Sequence, residues 1–293
     1  MSSSESSQLP NIDLSNCRDL IIGGDAAQVL DRLPAGGIDL IYVDPPFNTG
    51  STQRLASIKA EQDASSSRTG FGGRKYKTTL VSSHSYRDSF DDYLGFLVPL
   101  LEKSFQLLSS RGSLYVHLDY REVHYVKVEL DKIFGRTNFM NEIIWAYDFG
   151  GRSKQRWPAK HDTILLYAKE FGKHIFNYEE IERIPYMAPG LVTKEKASRG
   201  KVPTDVWWQT IVHTTGRERT GYPTQKPEAI LKRIVEASST AGSWVLDFFA
   251  GSGTTACVSQ QLGRRFIAID SNPQAINIIK NRLDMTNVQE ISC

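Results

Sequence analysis

Six residues, Ile38-Asp39-Leu40-Ile41-Tyr42-Val43, run with one polar interruption into Asp44-Pro45-Pro46-Phe47. This junction constrains the fold more than any other part of the chain. A short apolar run stopped by prolines reads as a strand buried on both faces, which belongs in a parallel sheet covered by helices. Open α/β sheets bind ligands beyond the carboxyl ends of their strands, where Asp44 stands. Pro45 and Pro46 fix φ and remove two N–H donors, so the carbonyls there are held stiffly. Asp44 and the Pro45 carbonyl can then accept hydrogen bonds from one amino group, while Phe47 offers a flat face. The exocyclic amine of a nucleobase suits that combination.

The rest of the chain repeats the α/β rhythm on either side of irregular segments. Leu20–Asp25 reads as a strand and 26–33 as a helix ended by Pro34, so 20–43 is expected to form one parallel βαβ step. Asn48 to His84 is rich in Ser, Thr, Gly and Lys without periodicity, an insert that is functional or disordered. Phe90, Tyr93, Leu94, Leu97, Leu101, Phe105 and Leu108 recur at helical spacing. A strand at Ser113–Leu118, a helix near 121–134 and strands at Glu142–Tyr147 and Thr163–Ala168 follow. Residues 169–222 are mixed, with Pro, Gly and Lys and a Trp207-Trp208 pair, and are expected to form an appended module. Pro227 starts a helix to about Ser239, then come strand Trp244–Phe249, helix Gly253–Leu262 and strand Arg265–Asp270. Asn272-Pro273 caps and opens a last helix to about Leu283.

The expected division is a flexible tail at 1–18, a catalytic half at 19–168 carrying the flexible insert 51–84, a recognition module at 169–221 and a cofactor-binding half at 222–293. With 293 residues, 40% of them apolar, a sizeable core is expected. No apolar run approaches a membrane span, and the Ser-rich start lacks a secretory h-region. Cys17, Cys257 and Cys293 make no paired metal spacing, which fits a reduced cytoplasmic protein without structural zinc.

Net charge is only +2, but it is unevenly spread. Residues 51–87 hold seven Lys/Arg against two Asp/Glu, and residues 152–233 hold sixteen against nine. Positive charge concentrated in two segments beside a base-binding strand points to a nucleic-acid partner.

A second motif closes another predicted strand: Val245-Leu246-Asp247-Phe248-Phe249-Ala250-Gly251-Ser252-Gly253-Thr254-Thr255. A Gly-x-Gly turn opening a helix lets a ligand approach the backbone, and the helix start favours negative charge or lone pairs. Asp270 ends the next strand, where a carboxylate can hold two ribose hydroxyls. Alone, such a turn is as often tight packing as a ligand site. Ala256 stands after the two threonines, so the third glycine of the dinucleotide fingerprint is missing, which counts against NAD and FAD.

Taken together, Asp44-Pro-Pro-Phe47, Tyr222-Pro-Thr-Gln-Lys226-Pro227 and the Asp247–Thr255 run resemble the signatures of amino-methylating DNA methyltransferases, which use S-adenosylmethionine (AdoMet). The order, catalytic motif first and Gly-x-Gly about 200 residues later, resembles the permuted β group of that family. Phe47 stands where Tyr is commoner and Phe248 where many relatives have Pro; neither change removes the stacking face or the turn. The resemblance implies an α/β, Rossmann-like AdoMet methyltransferase fold, with a doubly wound mixed seven-stranded sheet and an inserted target-recognition module.

It also implies roles. Asp44, Pro45, Pro46 and Phe47 would hold a flipped-out base. The cofactor site would comprise Asp25, Asp44, Tyr222, Thr224, Lys226, Asp247, Phe248, Phe249, Ala250, Gly251, Ser252, Gly253, Thr254, Asp270 and Ser271. Within it, Lys226 would meet the cofactor carboxylate, Asp270 the ribose and Asp25 the cofactor's adenine amine. Arg152, Lys154, Arg156, Arg217 and Arg219 would contact DNA phosphates. No metal is expected. In the family an Asp at the first motif position accompanies adenine N6 and a Ser accompanies cytosine N4, so adenine in double-stranded DNA is the expected target, with cytosine N4 as the alternative. Relatives are often homodimers, and a restriction endonuclease acting on the same site is an expected partner in a bacterial or archaeal cytoplasm.

Two readings from other classes weigh less. A nicotinamide oxidoreductase lacks its full glycine turn here, and an idle DNA-binding protein would not keep both halves of an active site. His117 resembles a motif residue near the flipped base but by itself reads as structural. Trp157-Pro158-Ala159-Lys160-His161-Asp162 is expected to shape the target pocket, and Trp207-Trp208 to be core rather than a DNA wedge.

Overall fold

The computed structural model of the chain describes residues 11–62, 75–213 and 216–292. The predicted flexible tail lies largely outside the described residues, as does the middle of the insert. The central feature is a sheet with helices on both faces. Its strands are β1 (Asp19–Gly23), β2 (Ile38–Val43), β5 (Leu108–Leu118), β6 (Phe139–Ala146), β7 (His161–Ala168), β8 (Val206–Trp208), β9 (Trp244–Asp247), β10 (Arg265–Asp270) and β11 (Val288–Ser292), and a separate hairpin pairs β3 (Ser51–Gln62) with β4 (Tyr76–Asp88). The order is β11-β1-β10-β9-β2-β5-β7-β6-β8. β7 runs antiparallel to both of its neighbours, and the other pairings are parallel.

Strand β2 sits at the centre because almost nothing in it is polar. Leu40, Ile41, Tyr42 and Val43 are all buried, and alternate side chains enter different cores. Ile41 and Val43 pack with Leu97 and Leu101 of helix α2 (Tyr93–Leu107) and with Val126 and Leu130 of α3 (Val123–Phe134). Leu40 and Tyr42 pack on the opposite face with Ile230, Leu231 and Ile234 of α5 (Glu228–Ser238). Short α1 (Ala26–Leu30) joins the first layer. Helices α6 (Thr254–Gln261) and α7 (Pro273–Arg282) cover β1 and β10 through Cys257, Ile276 and Ile279. Asn272 caps α7 through its side chain and Pro273 opens it, as expected. Among the described residues no helix is long and apolar enough to cross a membrane.

Three expectations are revised. The sheet has nine strands rather than seven, because short β8 and β11 add to its two edges. β1 and β2 are parallel but not adjacent: β10 and β9, from the far end of the chain, lie between them, so 20–43 is not a simple βαβ step. The insert is not without structure, since its described residues pair in register from Ser51 opposite Asp88 to Gln62 opposite Tyr76. The predicted appended module contributes α4 (Lys194–Arg199) and an Ile184–Lys201 bridge, but its Val206–Trp208 belongs to the main sheet beside β6. There Trp207 is buried under the Arg233 guanidinium, while Trp208 is exposed.

Candidate active site

Strands β2, β9, β10 and β1 all end on the same edge of the sheet, and a cavity of about 410 Å³ opens there. Of the predicted residues, Asp25, the whole of Asp44–Phe47, Tyr222, Thr224, Lys226, the run from Asp247 to Ser252, Thr254, Asp270 and Ser271 line it. Residues more than 180 apart in sequence therefore share one chamber. Arg152, Lys154, Arg156, Arg217 and Arg219 do not line it and are exposed.

The Asp44–Phe47 turn is pinned from several sides. Tyr93 Oη donates to the Pro46 carbonyl at 2.7 Å. Asn48 takes the left-handed backbone at φ 54 and is held by its N–H to Asp88 Oδ1 (2.8 Å), by its amide to Glu122 Oε1 (2.7 Å) and by accepting from Phe90 N–H (3.0 Å). Thr49 donates to Asp88 Oδ2 at 2.6 Å. Asp44 itself is divided. Its Oδ2 pairs with Lys226 Nζ, while its Oδ1 is buried with no hydrogen-bond partner among the described residues. A buried acceptor of that kind costs free energy until a donor arrives. Lys226 Nζ also stands 5.1 Å from the centre of the Phe47 ring. From sequence Lys226 is expected to meet only a cofactor carboxylate; in the structure it also pairs with Asp44.

Behind Phe47 lies a buried polar chain. His117 is fully buried, with Nδ1 2.8 Å from Tyr42 Oη and Nε2 3.2 Å from Asp162 Oδ2. Its ring is 5.9 Å from Phe47 and meets Trp145 edge-on at 5.4 Å. Tyr147 Oη donates to Asp162 Oδ1 at 3.1 Å. Burial works to raise the Asp162 carboxyl, but His117, Lys226 and Tyr147 together hold it below its usual range. His117 is thus structural in its contacts and adjacent to the site.

The glycine turn is built on two carboxylates. Asp270 accepts from Gly251 N–H and Asn272 N–H, both at 2.8 Å, and Asp247 accepts from Phe249 N–H at 3.0 Å and Thr255 Oγ1 at 2.7 Å. Gly251 has φ +51, and a Cβ there would sit 3.2 Å from the Tyr222 ring. Gly253 does not line the cavity. With φ +74, its missing side chain makes room for Ile279 of α7, 2.6 Å from where a Cβ would lie. Arg282, unnoticed in the sequence, braces the turn by donating to the Ser252 carbonyl at 2.7 Å while pairing with Glu228. Tyr42, Thr49, Asp88 and Phe96 also line the chamber. In the sequence Tyr42 reads as part of a buried strand and Phe96 is not singled out, and no spacing rule separates such residues from a cavity wall.

Burial pushes the Asp247 carboxyl up to about 7, assisted by Asp44 and Asp270 and opposed by its own hydrogen bonds. An unfolded carboxyl titrates near ~4. The folded state therefore holds the extra proton, and the stability this gives is lost as pH rises through about 7. The melting temperature of the wild type minus that of Asp247→Asn should fall between roughly pH 4 and 7 and level off above that. A difference that stays constant would mean Asp247 is ionised throughout.

The family model for DNA methylases of the N6/N4 group matches residues 38–281. The chain belongs to the DNA methylase family. Among its relatives, the type II methyltransferase M.HpaI of Haemophilus parainfluenzae is 32% identical over 264 residues, covering 90% of this chain and 74% of the relative. The DNA adenine methyltransferase YhdJ of Escherichia coli K12 is 30% identical over 275 residues, covering 91% and 83%. In structure, the methylase resembles the cytosine-N4-specific PvuII DNA methyltransferase, with a TM-score of 0.62 and 14% identity over 93% of this chain and 89% of the other. That likeness establishes the fold, which this group shares whatever base is methylated. In this methylase the Asp44–Phe47 turn and the glycine turn wall one cavity.

Proposed function

We propose that the protein transfers a methyl group from AdoMet to the N6 amine of an adenine flipped out of double-stranded DNA. The observation that carries this reading is the unpartnered, buried Asp44 Oδ1 in the chamber that the glycine turn also walls. Bound AdoMet supplies an electrophilic methyl. The chain's part is to hold the amine. Asp44 Oδ1 and the Pro45 carbonyl accept its two N–H bonds and draw the nitrogen out of conjugation with the ring, so that its lone pair faces the methyl. Phe47 stacks on the base. Lys226 would meet the cofactor carboxylate, Asp270 with Ser271 would hold the ribose and Asp25 the cofactor's adenine, while Tyr222, Thr224 and Phe249 line the chamber. No covalent enzyme intermediate is required, and adenine is favoured over cytosine N4 because an aspartate leads the motif and YhdJ is named for adenine.

Residues 169–221 form the target-recognition module in this reading, with Arg152, Lys154, Arg156, Arg217 and Arg219 on phosphates. A homodimer and a restriction endonuclease of the same specificity complete it, in the cytoplasm of a bacterium or archaeon. Expression in a methylation-deficient host, followed by base-resolved modification mapping of its DNA, tests this reading. N6-methyladenine should appear within one short sequence motif and fall sharply with Asp44→Ala. Modified cytosine, or unmodified DNA, would contradict it.

Phe47→Ala should weaken retention of the flipped base by roughly 5- to 150-fold, since stacking on an aromatic is worth about 1–3 kcal/mol. The dissociation rate of the DNA complex measures it, and an unchanged rate would show the ring to be dispensable.

A further inference from the structure

The loop from 147 to 160 joins β6 to β7 at the edge of the sheet where Asp44 stands. It is closed on itself: Tyr147 N–H donates to the Lys160 carbonyl at 3.1 Å, Lys160 Nζ to the Gly150 carbonyl at 3.0 Å, and Ser153 Oγ accepts from two backbone amides at 3.2 Å. At its tip Trp157 is 94% exposed, and Phe149 is 61% exposed nearby in sequence. Tryptophan is normally buried over most of its surface, and a bare indole on a built loop marks a contact with something else.

The surroundings select the partner. Arg152, Lys154 and Arg156 are exposed, and among the described residues no carboxylate lies within ion-pair distance of them. Arg156 leans over Tyr120, at the end of β5, with its guanidinium 5.8 Å from the ring centre and a 3.3 Å hydrogen bond to the hydroxyl. The foot of the loop is joined to the base site, because Asp162 binds both Tyr147 and His117, whose ring flanks Phe47. An exposed aromatic on a loop that also carries three exposed cations, at the sheet edge where Asp44 stands, suits a duplex: cations meet phosphates while an apolar wedge enters the stack.

We propose that Trp157 is the wedge that enters the duplex at the target pair and fills the space the base leaves as it turns toward Phe47. This rests on the base-flipping reading given above. Trp157 is a positioning residue and touches neither the methyl nor the amine. A base with no partner to leave needs little help, so the wedge matters only for a paired target.

The experiment uses the full-length enzyme with AdoMet and two duplexes carrying the methylated motif, one with the target adenine paired to thymine and one with it opposite an abasic position. Trp157→Ala should lower the single-turnover rate at least tenfold on the paired duplex and restore it to within about twofold of wild type on the abasic one; Trp157→Phe should keep most of the paired rate. Equal rates for Trp157→Ala and wild type on the paired duplex would overturn the wedge, as would equal losses on both duplexes. Loss of self-association with unchanged transfer would assign the indole to a second copy of the chain and overturn it too. A wild-type enzyme that methylates neither duplex would overturn the underlying reading along with it.

Discussion

Asp44→Ala is expected to slow methyl transfer by roughly 10²–10⁴-fold, the range that a positioned acceptor or proton-handling group contributes, while cofactor affinity stays largely intact. The geometry gives the reason for both halves. Asp44 Oδ1 is the buried acceptor without a partner, so its loss removes the group that the amine would meet. The glycine turn is held by Asp247, Asp270 and Arg282, none of which depends on Asp44 for its hydrogen bonds. Lys226 loses its present partner in the variant and becomes freer to meet a carboxylate. Single-turnover transfer and calorimetric AdoMet titration measure the two halves separately. Loss of cofactor binding would mean that Asp44 serves the cofactor side of the chamber.

Gly253→Ala should lower the melting temperature by on the order of 4–20 °C. Placing an L residue at φ +74 costs about 1–2 kcal/mol. A Cβ 2.6 Å from Ile279 Cγ1 adds overpacking of about 1–3 kcal/mol, because that side chain is enclosed between α7 and the sheet. Each kcal/mol shifts the midpoint by about 2–4 °C in a domain near this size. Gly251→Ala offers the contrast. Its Cβ would meet the Tyr222 ring at 3.2 Å, on the cavity wall, so it should cost less stability but weaken AdoMet binding more. Thermal denaturation with and without AdoMet distinguishes them. An unchanged midpoint for Gly253→Ala would contradict the close packing of the turn on α7.

What could be read from the sequence was what local chemistry dictates. The apolar run before Asp44 could hardly be anything but a central strand, and Asn272-Pro273 could hardly avoid starting a helix. The Asp44–Phe47 and Gly251-x-Gly253 motifs marked the cavity because prolines and glycines set backbone geometry by themselves. Long-range pairing was hidden. Nothing local says that β9 and β10 intervene between β1 and β2, or that Lys226 reaches Asp44 across 182 positions. Edge strands of three and five residues carry too few side chains for a pattern. Hairpin residues 51–62 mix polar and apolar residues without alternation, so no period of two marked them as a strand. Asn48 and Asp88 escaped notice as braces, and Tyr93 read only as a helix position, for a different reason. They hold the Asp44–Phe47 turn from outside, and a brace has no motif.

The most direct measurement is the identity of the methylated nucleoside. Purified protein is incubated with duplex DNA and methyl-labelled AdoMet, and the DNA is digested to nucleosides and separated. The label should migrate with N6-methyldeoxyadenosine, and Asp44→Ala should incorporate at least about 100-fold less in the same time. Label in N4-methyldeoxycytidine would contradict the assignment of the base, and unlabelled DNA would contradict the assignment of the chamber itself.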